Sequence, residues 1–284
     1  MSEEKMMPIA DFVEEMVAKA DCTKRQDCQG FTGFRDIDEL TNGMKKGGLI
    51  LLAARPGVGK STLAFNIAGN MSIDCRRRVA FFCMEMGDAL SAQSLVCSRA
   101  HVKVSALRNN KMTSAEKDRI AATARIVRDA PLFVDEHCDW NIAELVDTVR
   151  EMNKEKKLNL VIVDYLQLVM SDKGETREEK LENVARELKA LAYELRIPII
   201  VTAMLSRHNE LGAGHPKLEE LYEIGLAAQQ ADSVWFLDRR YTRTHRDEDR
   251  RLAKLYVENK EILLKFFPEY LEFCDIGEDE VSCR

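Results

Sequence analysis

The strongest constraint on the fold is a short run that contains two glycines, Ala54-Arg55-Pro56-Gly57-Val58-Gly59-Lys60-Ser61. The apolar segment Leu49-Ile50-Leu51-Leu52 precedes it, and an apolar helical pattern follows it. Gly57 and Gly59 allow backbone N–H groups to turn toward phosphate oxygens, and the positive end of the following helix dipole favours an anion there. A buried strand, a tight loop and a helix in this order predict a phosphate-binding loop, the Walker A motif.

The side chains at the end of this loop have the chemistry that a P-loop nucleoside triphosphatase requires. Lys60 is expected to meet the β- and γ-phosphates, and the Ser61 hydroxyl is expected to bind Mg²⁺. The motif departs from the usual pattern only in having Ala54 as its first small residue. The predicted nucleotide-binding residues are Ala54, Arg55, Pro56, Gly57, Val58, Gly59, Lys60, Ser61 and Thr62.

Two acidic residues complete the predicted site. Four apolar residues end in an acid at Leu160-Val161-Ile162-Val163-Asp164, which suits a buried strand whose carboxylate holds Mg²⁺ at the sheet edge. Asp164 is therefore the Walker B candidate. Glu85 follows the next predicted strand after the loop, where it could orient the water that attacks the γ-phosphate, although a plain surface carboxylate is the alternative.

The rest of the chain predicts an α/β fold with a mostly parallel sheet and helices on both faces. Runs that are apolar throughout are typical of strands covered on both faces. A helical stripe from Leu181 to Leu195, ended by Pro198, gives one βαβ unit, and the segment from Leu252 to Phe273 predicts antiparallel strands at the sheet's edge. The predicted parallel strands are Leu49–Ala53, Val79–Cys83, Leu132–Asp135, Leu160–Asp164, Ile199–Ala203 and Val234–Leu237.

Composition limits the location and the partners of the chain. With 284 residues, the chain can bury one large core. Its formal net charge of −6 means that a nucleic acid would need a local basic patch. Eight cysteines without a CxxC pair indicate free thiols in a reducing compartment. The sequence shows neither a signal peptide nor a membrane-spanning run, so we expect a cytoplasmic protein.

The first 30 residues form a separate segment. Apolar residues recur at helical spacing from Pro8 to Ala20, and a polar stretch from Asp21 to Gly30 follows. We therefore expect an N-terminal arm and linker in residues 1–30 and an α/β domain in residues 31–284. A helix folded back on its own domain fits the same pattern equally well.

Several motifs together resemble the ATPase domain of DnaB-type replicative helicases, over about residues 31 to 237. The most specific are the Ala-Arg-Pro form of the phosphate loop and Asp164-Tyr165-Leu166-Gln167-Leu168. The others are Thr32-Gly33-Phe34-Arg35-Asp36-Ile37-Asp38, Met84-Glu85-Met86 and Leu188-Lys189-Ala190-Leu191-Ala192.

The resemblance implies that residues 31–284 form a RecA-like ATPase domain. It also implies a hexameric ring that binds ATP with Mg²⁺ between subunits and moves 5′ to 3′ on single-stranded DNA in a central channel. It implies that Lys60 and Glu85 are catalytic and that Ser61 and Asp164 hold Mg²⁺. It also implies that the helix at residues 8–20 docks on the adjacent subunit. An N-terminal domain or another replication partner would then act in trans.

Three departures from the family pattern bear on coupling to DNA. Met204 stands where the family usually has a glutamine that senses the γ-phosphate, and a thioether cannot replace an amide in hydrogen bonding. Tyr222 stands where an arginine commonly contacts DNA, and Lys260 is the only cation near the expected Lys-x-Arg finger. The candidate DNA-binding residues are Arg207, Lys217, Tyr222, Glu223 and Gly225, and the candidate trans-acting finger is Lys260.

These departures leave a second hypothesis open: a nucleotide-binding regulatory or assembly module with weak hydrolysis and no unwinding. A third is an excised or stand-alone ATPase domain that needs a partner to unwind DNA. The basic run from Arg239 to Arg246 could contact nucleic acid or nucleotide, but a solvated loop is the preferred interpretation. Arg76-Arg77-Arg78 is interpreted as the approach to a strand.

Overall fold

The computed structural model describes residues 30–85, 88–135, 137–205, 224–258 and 260–276. Its strands are β1 Leu49–Ala54, β2 Val79–Cys83, β3 Leu132–Asp135, β4 Leu160–Asp164, β5 Ile199–Met204, β6 Ser233–Asp238, β7 Leu252–Val257, β8 Lys260–Phe267 and β9 Glu272–Asp275. Its helices are α1 Arg35–Thr41, α2 Lys60–Gly69, α3 Asp88–Ala100, α4 Val104–Arg108, α5 Ser114–Arg128, α6 Ile142–Lys156, α7 Arg177–Leu195, α8 Gly225–Gln230 and α9 Tyr241–Thr244.

The strands form one nine-stranded sheet in the order β3-β2-β4-β5-β1-β6-β7-β8-β9. Neighbouring strands from β3 to β6 pair in parallel, and β7, β8 and β9 add to β6 in antiparallel pairs. The parallel strands are joined through helical connections, as parallel pairing requires, whereas short turns suffice for the last three. The predicted mixed sheet with antiparallel strands at its C-terminal edge is confirmed.

Both faces of the parallel strands are buried, which explains why these strands are apolar throughout. In β1, Leu49 and Leu51 belong to the hydrophobic cluster that includes α6 and α7. Ile50 and Leu52 belong to the cluster on the other face, which includes α2. Alternation of side chains along a strand sends neighbours to opposite faces, so each face needs its own apolar set.

Some details differ from the sequence-based expectations. The helix after the phosphate loop ends at Gly69 and continues as a π-helical turn over Asn70–Asp74. Cys274 is disulfide-bonded, so the expectation of free thiols is wrong at this position, while Cys75, Cys83, Cys97 and Cys138 form no disulfide bond.

No helix within the described ranges is long and apolar enough to cross a membrane. The predicted arm helix at residues 8–20 lies outside the described residues, so the division at residue 30 stays a prediction.

A carboxylate from the end of the sheet caps the first helix. The backbone N–H groups of Arg35 and Asp36 donate to the Asp275 carboxylate at 2.8 and 3.5 Å, while the N-cap residue of α1, Phe34, has no side chain that can accept. Burial raises the pKa of Asp275, and the two backbone donors oppose that shift. Asp275 therefore ties the beginning of the domain to β9.

We predict that Asp275→Ala lowers the free energy of unfolding by about 1 kcal/mol, because the first turn of α1 loses its acceptor. Urea unfolding would measure the difference. Asp139→Ala, which removes an exposed carboxylate elsewhere, is the matched control. Equal stability of the two variants would show that the cap contributes nothing.

Candidate nucleotide site

The phosphate loop lies at the carboxyl edge of the parallel sheet, between β1 and α2. Strand order brings the carboxyl ends of β2, β4, β5 and β1 side by side, so residues that follow these strands can meet around the loop. The predicted context of the loop, a buried strand followed by a helix, is therefore present.

Two glycines give the loop its shape. Gly57 and Gly59 have φ angles of +75° and +109°, in the region that L side chains rarely adopt. A Cβ on Gly59 would also lie 3.1 Å from Cζ of Phe273, whereas the space around Gly57 is open. Gly59 thus satisfies both a backbone and a packing requirement.

Lys60 lies at the centre of the site and is only 6% exposed. Its ammonium donates to Glu85 Oε2 at 2.8 Å and to Asp164 Oδ1 at 3.3 Å. It also lies 3.2 Å from the Ser61 hydroxyl and 4.5 Å from the centre of the Tyr165 ring. The structure therefore brings together the four residues that the sequence analysis proposed for catalysis and metal binding.

Asp164 is completely buried beneath Lys60. The Thr202 hydroxyl on β5 donates to its Oδ1, while its Oδ2 is buried and has no hydrogen-bond partner. Lys60 contacts both this carboxylate and the Ser61 hydroxyl. These two oxygen donors suit a hard cation such as Mg²⁺, which takes one or two protein ligands together with substrate phosphates and water. No group of three or more His, Cys, Asp or Glu residues suited to a metal occurs in the part of the chain that the structure describes.

A cleft of about 550 Å³ opens in front of the loop. Loop residues line it together with Glu85 and Met204, and the rest of the lining comes from the end of β6 and from the β8–β9 hairpin. The lining residues are Arg55, Pro56, Gly57, Gly59, Lys60, Ser61, Thr62, Glu85, Met204, Arg239, Phe266, Pro268 and Leu271. Of the predicted nucleotide-binding residues, only Ala54 and Val58 do not line it.

Arg239 corrects the preferred interpretation of the basic run as a solvated loop. Its side chain is buried, its guanidinium lies 3.9 Å from the centre of the Phe266 ring, and its Nη1 donates to the Val58 carbonyl at 3.4 Å. Burial lowers the pKa of Arg239 to about 10, so the group remains charged at neutral pH. In the sequence, only the aromatic and basic composition of the run from Arg239 to Arg246 indicated that Arg239 could belong to the nucleotide site.

Hydrogen bonds to its backbone N–H and carbonyl hold Met204 in place. Its N–H donates to Gln167 Oε1 at 3.2 Å, and its carbonyl accepts from Gln167 Nε2 at 2.7 Å. On the other side, Leu205 N donates to the Ala54 carbonyl at 2.9 Å. The end of β5 is thus fixed between the phosphate loop and the turn that follows Asp164.

The other predicted residues lie apart from this cleft. Gly225 is the first residue of α8. Lys260 is an exposed residue at the beginning of β8 and pairs with Val257, at the amino ends of the parallel strands and so away from the phosphate loop. Arg207, Lys217, Tyr222 and Glu223 lie outside the described residues.

The fold and the site define a P-loop nucleotide-binding protein of the RecA-like type. The family model for the DnaB-like helicase C terminal domain matches residues 31–273. This chain belongs to that family, and the match extends past residue 237, where the motif resemblance ended.

Individual relatives agree with this assignment. The replicative DNA helicase DnaB of Leifsonia xyli is 36% identical over 241 residues, which cover 83% of this chain and 53% of the relative. One solved ATPase domain matches with a TM-score of 0.89 at 22% identity, covering 96% of this chain and all of that one. A DnaB-like replicative helicase solved to show its interactions with primase gives a TM-score of 0.86 at 23% identity, covering 98% of this chain and 69% of that one.

The chain spans about half the length of the first curated relatives that it matches. The likeness to the two solved structures concerns the fold.

We predict that Gln167→Met destabilises the end of β5, because the N–H and carbonyl of Met204 would lose their partners at a cost of about 1–3 kcal/mol. Hydrogen exchange at the Met204 amide should become faster than in the wild type. Gln167→Glu keeps an acceptor for the N–H but cannot donate to the carbonyl, so its effect should also be destabilising. Unchanged exchange at the Met204 amide in both variants would mean that the Gln167 side chain does not hold the end of β5.

Proposed function

We propose that this chain is the ATP-hydrolysing motor domain of a DnaB-type hexameric DNA helicase. In this proposal, Mg²⁺-ATP binds at subunit interfaces and single-stranded DNA lies in a central channel. The observation that carries the proposal is the contact of Lys60 with both Glu85 and Asp164, because it gathers a phosphate-binding cation, a base for water and a metal carboxylate at one point.

Each residue then has a chemical task. The loop N–H groups and Lys60 hold the β- and γ-phosphates, which bring further anionic oxygens to the ammonium and compete with Glu85 for it. Glu85, whose side chain is 42% exposed, can then accept a hydrogen bond from a water aimed at the γ-phosphate. Orientation of that water by a fixed carboxylate is the expected contribution of the side chain to the rate.

Ser61 and Asp164 fit the magnesium ion that this chemistry needs. A bound Mg²⁺ would neutralise charge on the β- and γ-phosphate oxygens. On the protein side, the Thr202 hydroxyl keeps Asp164 in one orientation, and Asp164 Oδ2 remains as an acceptor that would help to hold the ion.

Arg239 and Phe266, which line the cleft, suit the nucleoside. Arg239 and Phe266 already stack on each other, and a purine ring can stack on a guanidinium or on an aromatic face. We therefore propose that the base lies against Arg239 while the phosphates lie on the loop.

The remaining parts of the proposal follow from the family. Single-stranded DNA, neighbouring copies of the chain, and a replication partner or N-terminal domain in trans would be its partners. We propose that it works in the cytoplasm, as its relatives' role in DNA replication suggests. The residues proposed to touch DNA are Arg207, Lys217, Tyr222, Glu223 and Gly225, and Lys260 is proposed as a trans-acting cation.

A second function, a nucleotide-binding regulatory module without motor activity, is favoured by one observation. Met204 lines the cleft at the position where the family usually has a sensing amide, and a thioether cannot report the γ-phosphate through hydrogen bonds. Under this alternative, hydrolysis is slow and does not respond to DNA.

We predict that the wild-type chain hydrolyses ATP faster when oligo-dT is added. Lys60→Ala and Glu85→Gln should each lower kcat by a factor of about 10² or more, since a preorganised charge and a positioned base are lost. Steady-state ATPase assays with and without oligo-dT measure both effects, and sizing with ATP and oligo-dT measures assembly.

Asp118→Asn, which neutralises an exposed carboxylate on α5 that lines neither the cleft nor any proposed DNA contact, is the control. An ATP hydrolysis rate that does not change when oligo-dT is added would favour the regulatory module. In that case, Met204→Gln should increase the stimulation of hydrolysis by oligo-dT. Equal rates for the wild type and Lys60→Ala would refute the proposed site.

We also predict that Arg239→Ala raises the KM for ATP by about tenfold, with a smaller change in kcat, because the lost stack contributes about 1–2 kcal/mol. Arg239→Lys should recover little, since an ammonium lacks the planar face. An unchanged KM in Arg239→Ala would place the base elsewhere.

A further inference from the structure

A group of cations lies at the amino edge of the sheet, opposite the nucleotide cleft. These cations occupy the helix ends and turns that lead into β3, β2 and β4, which are adjacent in the sheet. The three connections are called turns below. We call this group the basic edge: Arg125 and Arg128 before β3, Arg76, Arg77 and Arg78 before β2, and Lys154, Lys156 and Lys157 before β4.

Hydrogen bonds hold the three turns against one another. Arg76 Nη1 donates to the Asp129 carbonyl at 3.2 Å, and Val79 N donates to the Pro131 carbonyl at 3.0 Å. On the other side, Asn159 N donates to the Arg78 carbonyl at 2.8 Å, and Arg78 N donates to Asn159 Oδ1 at 3.0 Å. Since neighbouring strands are about 4.8 Å apart, the turns form one surface roughly 10 Å wide along the edge.

The charge of the basic edge contrasts with the rest of the chain. Its eight cations share these turns with three carboxylates, Asp74, Asp129 and Glu155, which gives a net charge of +5. The whole chain has −6, so the remaining residues together have −11. Asp74 is moreover paired at 2.9 Å with Arg99, a cation that is not part of the group.

Stabilisation of helix ends accounts for only part of this excess. The helical segments that precede the three turns end here, and each helix C-terminus carries roughly half a negative charge, about −1.5 in total. Together with the three carboxylates, this leaves an excess of about 3.5 positive charges in this group. Six of the cations, all except Arg77 and Lys156, are exposed.

We infer that the basic edge binds the phosphate backbone of nucleic acid without regard to sequence, at a surface separate from the nucleotide cleft. Five of its eight cations are arginines, whose planar guanidinium groups suit bidentate phosphate contacts. The centre of a protein interface would instead need an apolar cluster, and Ile126 is the one exposed large apolar side chain in these turns, all of which the structure describes. Binding of nucleic acid at this surface would not depend on ATP hydrolysis.

The test compares two variants with five substitutions each. The first neutralises exposed cations of the basic edge: Arg78→Gln, Arg125→Gln, Arg128→Gln, Lys154→Gln and Lys157→Gln. The control neutralises five exposed cations elsewhere: Lys46→Gln, Lys103→Gln, Lys111→Gln, Lys117→Gln and Arg250→Gln. Both variants change the net charge equally.

Fluorescence anisotropy with labelled oligo-dT, without nucleotide and between about 50 and 200 mM salt, measures the binding. We expect the basic-edge variant to bind at least about tenfold more weakly than the control, and its plot of log K against log salt to be shallower by about 0.7 per lost phosphate contact. Equal affinity and equal slope in the two variants would overturn the inference. So would competition by poly-glutamate as strong as that by oligo-dT, which would indicate a surface for acidic proteins.

Hydrogen exchange on the wild-type chain gives a readout that does not depend on the variants folding. Added oligo-dT should slow exchange of the amides in residues 75–79, 129–132 and 157–160. Protection confined to other parts of the chain would overturn the inference even if the variants failed to fold.

Discussion

The structure depends most on the charge of Lys60. An ammonium that is 6% exposed needs anionic partners, since an unpaired buried charge is strongly destabilising. Its partners, Glu85 and Asp164, come from the ends of β2 and β4, while the phosphate loop follows β1. The sheet order places β4 beside β2 and brings β1 within one strand of it, with Thr202 on the intervening β5 bonded to Asp164. The parallel strand order therefore brings the anionic partners of Lys60 together at one edge of the sheet.

Much of this arrangement could be predicted because its signals are local. A strand covered on both faces must be apolar at every position, so Leu160–Val163 stands out in the sequence, and the acid that ends it, Asp164, must lie at the sheet's edge. The glycines of the loop are similarly explained by backbone geometry within a few residues. Family membership agrees with these expectations, while the individual roles of the residues remain proposals.

The features that sequence reasoning missed depend on contacts between distant segments. Arg239 belongs to a run of charges that is typical of a solvated turn, but it is buried because Phe266, on an antiparallel strand much later in the chain, provides a ring on which it stacks. The pairing of Gln167 with the backbone of Met204 joins residues 37 positions apart through a side chain, and no periodicity reveals such a bond. The cap from Asp275 to α1 is non-local in the same way.

The Gln167 contact also bears on how a nucleotide could influence the segment that follows β5. Met204 has no side-chain amide with which to follow the γ-phosphate, yet its backbone is held from both sides, by Gln167 on one and by the Ala54–Leu205 hydrogen bond on the other. A shift of the phosphate loop would therefore reach Leu205 through the main chain. Under the proposed function, a nucleotide bound to the loop would move the end of β5 through these backbone hydrogen bonds. No side chain at position 204 would need to exchange one hydrogen-bond partner for another. This coupling requires that the hydrogen bonds between Gln167 and the Met204 backbone persist while the phosphate loop moves. The turn after Asp164, which contains Gln167, would therefore determine how strongly the nucleotide affects the segment after β5.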